Sequence, residues 1–217
     1  MFFFICFLLG KLFAIITGGY NYKRMSIPYR ITFFVVILAI FCEVYGYYIS
    51  MPLPHKSNVW LFNWYIMIEA IMVGIAAVFL VNNKRMKLFF SFLIVVNFIY
   101  WVVIMYTQNK PLLVSTSIIS GCIMLSFMYI VILSNNSFIT KNIATQPVFW
   151  LCISTIIFFG CDIPCMGLYN YTYETMTKSL AHKLATIHTI LDIIRYPLLG
   201  VSFLLFRERK TSSLKVA

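Results

Sequence analysis

Apolar residues along the chain are gathered into long runs, not distributed as narrow stripes on otherwise polar segments. Seven runs can be read, at about 2–20, 31–49, 59–81, 88–106, 112–133, 147–169 and 184–206. Each approaches the ~20 residues that cross a hydrocarbon core of ~30 Å at 1.5 Å per residue. A backbone in lipid must satisfy its own hydrogen bonds, so each run predicts an α-helix. The pattern therefore predicts an all-α, polytopic membrane bundle of seven transmembrane helices. The segments between runs are too short for a soluble domain, and 207–217 reads as a basic cytoplasmic tail. The first run lacks a basic leader, carries Lys11 in its middle and ends without a small-x-small site. It reads as a retained helix and not a cleaved signal.

Composition supports this picture. Of 217 residues, 62% are hydrophobic and 11% charged, with mean hydropathy +0.91; a soluble domain carries about 25% charged residues. Lys and Arg outnumber Asp and Glu 17 to 6, a balance that in a soluble chain would suggest nucleic acid. Here the basic residues sit in short loops, so no nucleic-acid partner is expected. Eleven fall in loops 18–30, 82–87 and 134–146 and in the tail, against four in the alternate loops (Lys56, Lys110, Lys178, Lys183). The positive-inside rule then puts the N-terminus outside and the C-terminus in the cytoplasm. All six cysteines fall within apolar runs and read as small packing residues.

Runs 2 and 3 can be laid over runs 6 and 7. Cys42-Glu43 falls on Cys161-Asp162 at an offset of 119, while Tyr65, Glu69 and Gly74 fall on His188, Asp192 and Pro197 at an offset of 123. A parallel 3+1+3 repeat joined by run 4 would follow. Helix-weakening residues at matching positions, Gly74 against Pro197, with Pro164 beside Asp162, then point to a binding site. Proline kinks that only shape packing are the plainer alternative.

The strongest chemical signal is charge inside the runs: Glu43, Glu69, Asp162, Asp192, Arg195 and, less deeply, His188. A central Asp or Arg costs about +2.5 to +3.5 kcal/mol, so four acids and an arginine left unpaired in lipid would cost roughly 12 to 18 kcal/mol. They are expected to share an interior, pair, or carry protons. His188, Asp192 and Arg195 follow i, i+4, i+7 spacing on one stripe, as do Tyr65 and Glu69 at i, i+4. By depth the acids form an outer-half pocket, to which Tyr45, Asn63, Asn97, Ser115 and Ser120 could add uncharged groups. A structural network in which Arg195 satisfies Asp192 or Glu69 is the competing reading. It leaves three acids without a cation unless Lys11 turns inward. Cys161, Cys165, His188 and Asp192 could in principle hold Zn²⁺, although the helix faces differ and no i, i+4 histidine pair is present; otherwise no cofactor is implied.

Glu43, Asn63-x-Tyr65-x3-Glu69, Pro147-Val148-Phe149-Trp150 and Ile187-His188-Thr189-Ile190-Leu191 resemble small seven-helix membrane proteins common in Bacteroidetes bacteria. The resemblance implies the architecture and a bacterial inner (plasma) membrane location, and favours Glu43, Glu69 and His188 for a shared role. Asp162, Asp192 and Arg195 depart from its pattern. The expected function is a receptor-like or sensory protein that binds a small solute or cation through Glu43, Tyr65, Glu69, Asp162, His188, Asp192 and Arg195. Its signal would pass to a separate signalling protein. A small-solute or proton-coupled transporter and an intramembrane metal-dependent hydrolase are the alternatives.

Overall fold

The computed structural model describes residues 2–50, 59–107, 115–135, 142–175 and 178–206. Seven long helices account for nearly all of them: α1 (Phe2–Asn21), α2 (Ile27–Ser50), α3 (Val59–Leu80), α4 (Lys84–Thr107), α5 (Ser115–Asn135), α6 (Pro147–Thr175) and α7 (Lys178–Leu204). Each contains a segment long and apolar enough to cross a bilayer. The chain is a multi-pass membrane protein.

Several helices outrun the apolar stretches that announce them. α2 begins at Ile27, α4 at Lys84 and α7 at Lys178, and α6 continues to Thr175. An apolar run marks the hydrocarbon thickness, whereas a helix ends where its backbone is capped. Asn83 caps α4, its side chain accepting from the Arg85 N–H and its carbonyl from the Lys87 N–H, both at 2.9 Å. Lys84 and Arg85, both exposed, and Lys87, half-buried, lie on the first turn of a helix, where the dipole disfavours cations. Attraction to anionic headgroups offsets that local cost. Pro28 and Pro147 sit in the first turns of α2 and α6, where a missing N–H costs little.

Six helices close a ring. α1 packs on α2 and α7, α2 on α3, α3 on α5, α5 on α6 and α6 on α7, while α4 lies against α3 and α5. α4 is the least enclosed span, 22% buried against 56% for α5. It therefore stands outside the ring and faces lipid on most sides, which fits a helix of mean hydropathy 2.5. The ends of α1, α3 and α7 and the starts of α2 and α6 border one crevice, and the end of α5 and start of α4 meet α3 in another. All seven helices thus alternate in direction, and one end of the bundle carries Lys23, Arg24, Arg30, Lys84, Arg85 and Lys87. The tail 207–217, Lys56, Lys110 and Lys141 lie outside the described residues.

Lipid supplies little hydrophobic drive between helices, so close approach decides their packing. The α1–α7 seam is reciprocal: Gly10 leaves room for the Pro197 ring, and Gly200 leaves room for the Phe13 ring. On α3, Ala70, Gly74 and Ala77 form a stripe of small residues, with Gly121 of α5 seated beside Ala70. Hydrogen bonds fix the register. The Trp101 indole donates to the Ser117 carbonyl at 2.8 Å, Tyr129 to the Val73 carbonyl at 3.2 Å, and Ser202 to the Pro147 carbonyl at 2.8 Å.

Candidate functional site

The half of the ring away from the basic end holds the intramembrane charges. α2 supplies Glu43, α3 supplies Tyr65 and Glu69, α6 supplies Asp162, and α7 supplies His188, Asp192 and Arg195. These residues, the full set singled out from sequence, line one cavity of about 90 Å³. A single water needs only about 10–15 Å³ by this kind of measure, so the space admits a few waters or a small solute.

Arg195 Nη1 lies 2.6 Å from Glu69 Oε1, with both side chains almost fully buried. The guanidinium also sits over the Phe158 and Phe159 rings, 4.2 and 4.9 Å from their centroids. Its Nε is buried and has no hydrogen-bond partner among the described residues. His188 Nδ1 is 2.7 Å from Asp162 Oδ1, and its Nε2 is 4.0 Å from Asp192 Oδ2. Only the Asp162 contact is within hydrogen-bond reach.

Lys11 turns inward. It is 1% exposed, pairs with Glu43, and places its ammonium 3.8 Å from the Phe7 ring centroid and 4.6 Å from that of Tyr196. This removes the expectation of three acids without a cation, since each of the four carboxylates faces a basic group. It also shows which acid Arg195 satisfies: Glu69 across the helix seam. Four carboxyl groups face Lys11, Arg195 and His188, so acidic groups inside the spans still outnumber basic ones by one.

Lys11, Phe158 and Tyr196 take part in this site without having been counted in it. A cation in the middle of an apolar run was the available signal for Lys11. For the two aromatics there was none, because Phe and Tyr are abundant throughout the chain. Three of the uncharged candidates lie outside the cavity: Ser120 donates to Asn97 Oδ1 at 2.7 Å between α5 and α4, and Tyr45 is 53% exposed. The four-ligand zinc arrangement does not form: Cys161 is exposed on the outside of α6, and among the described residues no group of three or more His, Cys, Asp or Glu is placed to hold a metal ion.

Toward the basic end the interior becomes apolar. Val73, Ala77, Leu125, Tyr129, Leu151, Leu199 and Phe203 are all buried there. Among the hydroxyls at that depth, Ser154 and Thr155 donate to the Leu151 carbonyl and Ser202 to that of Pro147, while Ser126 Oγ is buried with no hydrogen-bond partner among the described residues. The floor of the charged cavity is thus largely apolar. No family model matches the chain, and neither a curated protein nor a solved structure is significantly similar to it.

Proposed function

We propose that the protein is a receptor-like membrane sensor whose cavity binds a small cation or amine-bearing solute. The observation that carries this reading is the meeting of seven candidate residues from four helices around one cavity with an apolar floor. Excess carboxylate favours positive charge, and the unpartnered Arg195 Nε offers a donor to a solute oxygen or a hydrating water. A largely apolar floor suits detection better than conduction. By loop charge the basic end faces the cytoplasm and the cavity opens toward the outside, so a signal would reach a separate partner through the basic end. The inner-membrane location rests on the family resemblance. The 3+1+3 plan is likewise proposed, and the position of α4 outside the ring supports it.

The full chain in phosphatidylcholine nanodiscs, titrated with methylammonium, sodium or potassium chloride, provides the test. At about 100-fold over Kd, bound ligand stabilises by ~2.7 kcal/mol, a rise in Tm of roughly 5–10 °C for a chain of this size. A saturable rise with one of these cations, lost in Asp162→Asn, is expected. No saturable rise with any of them overturns the reading. Solute uptake into proteoliposomes that disappears in Glu69→Gln would replace it with transport, for which the prolines inside α6 and α7 would supply the hinges.

A further inference from the structure

The cavity is not walled off on the side of α1 and α2. A larger space of about 820 Å³ lies between α1, α2, α3 and α7. Glu43, Phe62, His188 and Asp192 border both spaces, so the two meet at a charged junction. The outer walls of the larger space are apolar. Leu8 and Val44 are 43% and 64% exposed on the lipid-facing surface, with Ile40 beside them.

A slot of this kind has two chemically different ends. A hydrocarbon tail lying along Leu8, Ile40 and Val44 never leaves apolar surroundings. A head reaching the junction meets carboxylates. Asp192 is the least satisfied of these, since the one basic group within 4.0 Å of it among the described residues, His188 Nε2, stands beyond hydrogen-bond reach. Glu43 keeps about a third of its side chain exposed beside Lys11. An anionic head would find Lys11 and Arg195 already paired, whereas an ammonium would find Asp192 without a hydrogen-bonded cation and, beside it, the Glu43 oxygen that does not contact Lys11. The volume falls in the range of about 300–1,000 Å³ that holds ligands of moderate size.

We infer that this slot is a lateral portal through which a single-chain amphiphile with a primary amine head, dissolved in the bilayer, reaches the cavity. The inference rests on the cavity being a site for positive charge, and it adds the ligand class and the route.

The test uses the full chain in phosphatidylcholine nanodiscs and a twelve-carbon primary amine bearing a terminal diazirine. After irradiation, adducts are mapped by mass spectrometry. Labelling is expected to concentrate on Leu8, Ile40 and Val44 and to fall at least about fivefold with excess dodecylamine, but not with dodecanol or dodecanoate. Asp192→Asn combined with Glu43→Gln should abolish that competition. Val44→Trp, at an exposed position, should block labelling while leaving methylammonium stabilisation intact. Adducts spread equally over Phe92 and Val95 on the lipid face of α4, or equal competition by dodecanol, would overturn the portal. Absence of labelling on Leu8, Ile40 and Val44 in the unsubstituted chain, with methylammonium stabilisation preserved, sinks the portal alone. Absence of methylammonium stabilisation sinks the cavity reading beneath it.

Discussion

Consider removing each partner of the Glu69–Arg195 pair in turn. Both side chains are at most 5% exposed, and Arg195 is the one basic partner of Glu69 among the described residues. Arg195→Met strands a buried carboxylate, for which breaking a buried pair costs about 3–5 kcal/mol. Glu69→Met strands a guanidinium that keeps the faces of Phe158 and Phe159. Desolvated cation–π contacts contribute about 2 kcal/mol or more, so this variant should lose less by about that margin. The double variant Glu69→Met, Arg195→Met removes both charges and leaves side chains of comparable volume. It should lie within about 1–2 kcal/mol of the parent and be more stable than either single variant, because desolvation is relieved together with attraction. Thermal unfolding in nanodiscs reads these differences as roughly 2–4 °C per kcal/mol for a chain of this length. The reasoning fails if the single losses add in the double variant. It fails as well if Glu69→Met is the more damaging change, since the aromatic faces would then contribute nothing.

Two further outcomes are expected. Gly200→Val drives a side chain into the seat of the Phe13 ring and should cost about 1–3 kcal/mol, whereas Gly19→Ala, with no atom within 4 Å of the added carbon, should be neutral or slightly stabilising; paired melting curves compare them. For orientation, alkaline phosphatase fused after Thr107 should be active and a fluorescent protein fused after Phe206 should fold in the cytoplasm; the reverse pattern would invert the bundle relative to its loop charges.

The number and extent of the helices were legible because lipid leaves the backbone no alternative to helix over an apolar run of that length. The ends were less so, since Asn83 and Ser26 hold their helices open beyond the hydrocarbon boundary through local hydrogen bonds. The site residues were visible for the same reason as the spans: a charge in an apolar run is costly enough to imply a shared interior. Their pairing was not visible. Lys11 and Glu43 are 32 positions apart, and Arg195 meets Glu69 instead of its own-helix neighbour Asp192. Which helices adjoin depends on small-residue seams such as Gly10 against Pro197, and these leave no hydropathy signature.

The α1–α7 seam also bears on biosynthesis. The Lys11–Glu43 pair can form as soon as α1 and α2 are inserted. Glu69 and Asp162 must wait, because Arg195 and His188 both arrive on α7. Until then the nascent chain holds Glu69 and Asp162 without these partners in an open ring. Insertion of α7 therefore closes the ring and delivers both basic partners in one event.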